Sequence, residues 1–375
     1  MIVTLCFRIL TRKIHSLNNE GLITDEELHK LCDELLEISS GHDKDTFICK
    51  FLYNKTGVFY NKTKTRDTFK NYIKTFKTNS LSDTPVAIIV DEMFKYHKFI
   101  NNIIKCNVTT TRYTDYEVKT LNRFLKAFVQ YECFDDIANI LGDILQKDNV
   151  PHIPFEELID IIKIALSVFI QNTIMAFGNH KASFFSDSGI IKKMFASKKE
   201  TETYSEAFVR VIIENKSKCM NIYSYDELYN KIIEPGSKLG VSNLFNTYMT
   251  IINNNGWDNI KDISIINDGV NTIERDHIKP TASFTDKNEK RKYSNMIGNL
   301  SPLNEYSNKK EGAAPFEIKR KTYMESNFQM NRLISQSEIW GIEEIIKESE
   351  RRAKIIVNTI DISKYIKVKD HETNK

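Results

Sequence analysis

Helix-breaking residues are scarce in this chain: thirteen glycines and seven prolines are spread over 375 residues. Those two residues make tight turns and end helices, so a chain this poor in them is not a turn-rich β protein. It reads as long helices, and from residue 20 to about 255 apolar residues recur at helical spacing. Thr24-Asp25-Glu26-Glu27 opens one helix, because Thr24 can accept from the Glu27 backbone while the Glu27 carboxylate reaches back. Leu28, Leu31, Leu35 and Leu36 follow at helical intervals. Ser82-Asp83-Thr84-Pro85 starts another, leading into Val86, Ile88, Ile89, Met93 and Phe94. Further helical runs cover about 115–147, 155–176, 203–214 and 225–233. Phe124, Phe128 and Tyr131 lie on apolar faces and read as core, whereas 178–202, with Gly178, Gly189 and the polar run Ser197 to Thr201, reads as an exposed connection.

Near residue 255 the texture changes. Asn, Gly and Pro become frequent, and short β-like pieces such as Ile263-Ser264-Ile265-Ile266 replace the helical period until about 315. A last helix follows Glu338, carrying Trp340, Ile342, Ile345, Ile346 and Ile355, and the tail from Lys367 is polar. The expected architecture is α+β and mostly α. A helical domain spans 1–255, a small mixed domain 256–366 and a tail 367–375.

The six cysteines, Cys6, Cys32, Cys49, Cys106, Cys133 and Cys219, form no CxxC pair and read as buried thiols in a reducing compartment. The most apolar run, Ile161 to Phe177, contains Lys163, Gln171 and Asn172 and reads as a buried helix rather than a membrane span. A cytoplasmic location with no membrane partner is expected. A net charge of only +3 excludes a polycation, so any nucleic-acid role must rest on local charge placement.

The chemistry-bearing stretch reads I-E-R-D-H-I-K-P over Ile273 to Pro280, then N-M-I-G-N-L-S-P-L-N-E-Y-S-N-K-K over Asn295 to Lys310. Hydrolysing a phosphodiester needs a base that works near neutral pH, a cation on the leaving oxygen and donors that hold the phosphate. Imidazole suits the first task; a carboxylate with amide oxygens suits the second, because magnesium prefers oxygen ligands. Asp276 and His277 are consecutive, so on a strand they face opposite sides. Gly298 allows a tight turn before Asn299, and a helix can open near Asn308. A β-hairpin crossed by one helix follows. Asn295 reads as the end of a turn.

This constellation resembles the HNH (ββα-metal) endonucleases, and within them the C-terminal domain of GmrSD-type modification-dependent restriction enzymes. The resemblance rests on D-H-I-x-P, on Ile297 to Leu300, on Asn308 nine positions beyond Asn299, and on Pro315 to Lys319 followed by Tyr323. It continues to Trp340 and a helix with Ile345, Ile346 and Arg351 or Arg352, over about 90 residues. It implies His277 as general base, Asp276 and Asn308 as ligands of one Mg²⁺ or Mn²⁺ ion, Asn299 bracing His277 or the hairpin, and Lys319 on a phosphate. The family hallmark is often I-E-H-I-x-P; here aspartate precedes the histidine, which leaves Glu274 a spare carboxylate. His15, His29, His42, His97, His152, His180 and His371 read as structural or solvated.

Nine Lys or Arg lie between Lys287 and Lys321 against four acids, an excess suited to DNA phosphates. Arg291, Lys292, Lys309, Lys310 and Lys319 are the candidate contacts. The expected activity is a defence or restriction nuclease acting on DNA. Two other classes fit less of the pattern: a helical interaction or nucleic-acid-binding protein with a degenerate HNH module, and a toxin-like nuclease acting on host nucleic acid. Neither a P-loop nor the D-G-Q-Q-R motif of the nucleotide-hydrolysing domain usual in GmrSD-type enzymes occurs, so a separate nucleotide-hydrolysing or sensor subunit is a candidate partner.

Overall fold

The computed structural model describes residues 2–20, 23–41, 44–56, 68–69, 71–72, 85–128, 134–146, 150–176, 189–215, 221–237, 239, 244–258 and 273–366. The chain forms two compact units, each gathered from several stretches of sequence. One takes Met1–Arg112, Ala138–Pro151 and Phe185–Ala196; the other takes Tyr113–Ile137, His152–Phe184 and Ser197–Lys375.

The first unit is helical among the described residues. It contains α1 (Ile2–Asn19), α2 (Asp25–Gly41), α3 (Lys44–Thr56) and α4 (Pro85–Ile104). Helix α2 starts on the expected reciprocal cap: the Thr24 amide donates to Glu27 at 2.8 Å and the Glu27 amide donates to the Thr24 hydroxyl at 3.2 Å. Its buried stripe is Leu31, Leu35 and Ile38, whereas Leu36 turns outward and is 67% exposed. The stripe packs α2 against α4, which buries Val86, Ile89, Val90 and Met93. Cys32, Cys49 and Cys106 are half-buried and outside disulfides, rather than fully buried.

The expected run 115–147 is two helices, α5 (Asp115–Phe128) and α6 (Phe134–Leu145). Phe124 is buried; Tyr131 and the Phe128 side chain lie outside the described residues. Helix α7 (Phe155–Met175) is long and apolar enough to cross a membrane, yet 83% of its apolar window is buried inside the protein. Part of the expected exposed connection is a helix, α8 (Ile190–Ser197), because Ile190, Ile191 and Met194 fall on one face and are buried. Helices α9 (Tyr204–Glu214) and α10 (Tyr225–Ile233) follow, each opened by a capping box, then α11 (Phe245–Asn254).

In the second unit β1 (Ile273–His277) pairs antiparallel with β2 (Leu300–Asn304), in a register that sets His277 opposite Leu300 and Asp276 opposite Ser301. Helix α12 (Lys287–Tyr293) lies between them in sequence. After β2 come α13 (Glu305–Glu311), α14 (Phe316–Met324), α15 (Gln329–Ile334) and α16 (Ile342–Ile360). The β-like residues 263–266 and the tail from Lys367 lie outside the described residues.

Helix α16 joins the earlier helices to the hairpin within this unit. It packs on α7, α10, α11 and the turn Ile297–Asn299, burying Ile345, Ala353, Ile356, Val357 and Ile360. Gln171 of α7 donates to the Ile360 carbonyl at 2.8 Å, and Asn253 of α11 accepts from the Met330 amide at 3.2 Å. The residues before and after 255 therefore share one core here. Trp340 packs inward beside Phe316, Tyr323 and Ile345.

Candidate active site

The hairpin is held against α16 by close backbone packing. A Cβ built on Gly298 would stand 2.3 Å from the Ile345 carbonyl oxygen and 2.5 Å from the Ser349 amide. The need for glycine is therefore a close approach to another helix, whereas the sequence suggested a turn. Gly298 donates to the Ser349 hydroxyl at 3.0 Å. Arg352, fully buried, donates to the Ile297 and Leu300 carbonyls at 2.6 and 2.5 Å while Glu348 accepts from its Nε at 2.6 Å. Burial pulls the guanidinium below its ordinary pKa and Glu348 opposes that. Gly298→Ala is expected to cost about 3 kcal/mol, the upper end of overpacking penalties, because the clash is with backbone that cannot rotate away. Urea unfolding checks this, and an unchanged midpoint would mean that the turn slides freely on α16.

Strand alternation divides the two consecutive candidates as expected. Asp276 faces inward at 3% exposure, and its Oδ1 accepts from Lys319 Nζ at 2.5 Å while its Oδ2 accepts from the Tyr323 hydroxyl. Burial pushes Asp276 above the usual carboxylate range, against the opposing pull of Lys319; burial and Asp276 together keep Tyr323 protonated and donating. Lys319 also donates to the His277 carbonyl at 2.9 Å. With 1% of its surface exposed, Lys319 is turned inward to Asp276 in this structure and not toward a phosphate at the surface. Its ammonium braces the end of β1.

His277 is half-buried, and its Nε2 lies 3.1 Å from Asn295 Oδ1. Asn299 makes no hydrogen bond to the ring among the described residues. Its Oδ1 accepts from the Lys279 amide at 2.8 Å, and its Nδ2 donates to the Lys279 and Ser294 carbonyls at 3.0 and 2.9 Å. Of the two tasks expected of Asn299, it performs the bracing of the hairpin. Asn331, from α15, holds β2 in turn by donating to the Pro302 carbonyl at 2.8 Å and accepting from Ser301.

Among the described residues no hydrogen bond links Asp276 and Asn308. Asn308 Nδ2 instead donates to Glu274 Oε2 at 2.6 Å, and both residues are half-buried. A divalent ion needs oxygen lone pairs facing a solvated space. Asp276, enclosed and with both oxygens engaged, does not fit that need in this arrangement. Glu274 with Asn308 does, as one carboxylate and one amide oxygen, a donor set magnesium accepts when waters complete its shell. Among the described residues no three His, Cys, Asp or Glu side chains cluster as a metal cage.

The cationic candidates separate by exposure. Arg291, Lys292, Lys309 and Lys310 are exposed, with Lys309 paired to Glu305 and Lys310 3.9 Å from Glu311. Of the histidines read as structural or solvated, His97 is buried beside the Phe94 ring, and His15, His29 and His152 are exposed. Sequence alone missed the roles of Asn295 and Glu274, since their partners lie 18 and 34 positions away and only the hairpin register connects them.

Residues 259–355, about a quarter of the chain, match the family model for the C-terminal domain of GmrSD restriction endonucleases. The match contains β1, β2, the Ile297–Asn299 turn and most of α16. No curated protein matches the chain.

Proposed function

We propose that this chain is a divalent-metal-dependent endonuclease of the HNH type that hydrolyses phosphodiester bonds in DNA, in restriction or anti-phage defence. The observation that carries the reading is the setting of His277. It ends a strand of the matched region, with its ring half-exposed and its backbone braced by Lys319. The imidazole takes a proton from water as the water oxygen forms its bond to phosphorus. The opposite P–O bond breaks, and the leaving sugar oxygen takes a proton from solvent.

Glu274 and Asn308 would hold the Mg²⁺ or Mn²⁺ ion, a reading that keeps Asn308 and replaces Asp276 by its neighbour on the same strand face. Such an ion supplies positive charge against the oxygens that gain charge during cleavage. Lys309, Lys310, Arg291 and Lys292 would contact the phosphate backbone, a contribution independent of sequence and weakened by salt. Recognition of the target is left to the rest of the chain or to a separate nucleotide-hydrolysing or sensor subunit.

The test is cleavage of plasmid DNA by the full chain with Mg²⁺ or Mn²⁺, against EDTA. Cleavage is expected only with the ion. Glu274→Ala should raise the ion concentration needed for half-maximal rate by about tenfold or more, the loss of one charged ligand being worth at least about 1.4 kcal/mol. Undiminished cleavage in EDTA would remove the cation from this reading. A raised requirement in Asp276→Asn but not in Glu274→Ala would return the ion to Asp276, with Lys319 displaced from it.

A further inference from the structure

We propose that Asn295 is the residue that positions the His277 imidazole, fixing its proton on Nε2 so that Nδ1 carries the lone pair that removes the proton from water. The inference deepens the nuclease reading and rests on it for its consequence in catalysis, but not for the tautomer. An amide oxygen has lone pairs and no proton, so with Asn295 Oδ1 turned to Nε2 at 3.1 Å the contact is a hydrogen bond when Nε2 carries the imidazole proton. In the neutral ring the other nitrogen is then the base. After the proton has moved, Nε2–H still donates to Asn295, so the contact survives the step and holds the ring in place.

The backbone around Asn295 is fixed without help from its side chain. Its neighbours Ser294 and Met296 are buried, at 4% and 1% exposure. The Ser294 amide donates to the Lys290 carbonyl at 3.1 Å, and the Met296 amide donates to the Tyr293 carbonyl at 3.2 Å. Asn299 then ties the Ser294 carbonyl to both backbone groups of Lys279, two residues beyond His277. Asn299 thus sets the distance between the two segments, and Asn295 uses that distance to reach the ring. Among the described residues no other side chain hydrogen-bonds the His277 ring.

The experiment is long-range ¹H–¹⁵N correlation on the full chain with ¹⁵N-histidine, His277 being assigned by its loss in His277→Gln, at a pH where the ring is neutral. The expected wild-type spectrum is that of the Nε2–H tautomer. Asn295→Leu, similar in size and without an acceptor, should give a mixture of tautomers. Its single-turnover cleavage rate should fall roughly 10- to 100-fold, as for other groups that orient an imidazole, with unchanged DNA affinity. Asn295→Asp retains the acceptor and should restore the Nε2–H pattern. A wild-type ring carrying its proton on Nδ1, or an Asn295→Leu protein of wild-type melting temperature with an unchanged tautomer, would overturn the proposal. If the wild type cuts no DNA at all, the nuclease reading fails, while the tautomer still decides whether Asn295 positions the ring.

Discussion

A His277→Ala protein is expected to melt like its parent and to cut plasmid DNA slower by on the order of 10²- to 10⁴-fold, the usual worth of a general base. Folding should survive because the ring carries little of the local structure. Its side-chain hydrogen bond is the one to Asn295, and the half-buried ring leaves a shallow void. The bonds that hold this end of β1 are made by backbone: the His277 carbonyl to Lys319, and the ladder to β2. The loss should therefore fall on the chemical step, with DNA affinity and its salt dependence unchanged. Lys309→Ala with Lys310→Ala should do the reverse, weakening binding and making it less salt-sensitive. Thermal melting, filter binding across a salt series and single-turnover cleavage separate the two effects. Wild-type cleavage by a folded His277→Ala protein would sink the assignment of the base and favour a module that only binds nucleic acid or a partner.

The helical part of this chain is legible from sequence because its signals are local. Thr24 and Glu27 make their cap three residues apart, and Leu31, Leu35 and Ile38 form a stripe that needs only the helical period. The hairpin is legible for a different reason: an ordered set of residue types, Asp276, His277, Asn299 and Asn308, that fits a known pattern. What the pattern did not reveal is which side chain meets which. Asp276 meets Lys319 across 43 positions, and Asn308 meets Glu274 across 34, so both pairings depend on how α13 and α14 return to β1. A lysine in a basic stretch reads as solvated, since burying an ammonium is costly until its partner is known. Gly298 shows the same limit. Its sequence context suggests a turn, while its requirement comes from Ile345 and Ser349 of α16, 47 and 51 positions onward.

Replacing Lys319 by methionine is expected to cost about 3–5 kcal/mol of folding stability, the range for removing one partner of a buried ion pair. Asp276 is 3% exposed, so without the ammonium its charge would be held by the Tyr323 hydroxyl alone and could not be rehydrated in place. The carboxyl can escape part of this by taking a proton, and the low end of the range corresponds to that escape. A second change isolates the pair: Asp276→Leu with Lys319→Met replaces both charges by apolar groups of similar size and should recover most of the loss. Activity should not recover with it. Lys319 also donates to the His277 carbonyl, so both variants loosen the strand end that aims the base, and cleavage should stay reduced where stability returns. Urea unfolding and single-turnover cleavage on the two variants read these outcomes separately. A Lys319→Met protein of near-parental stability whose DNA binding is weaker and less salt-dependent would show instead that the ammonium leaves Asp276 for a phosphate, and that Asp276 is then open to the metal ion.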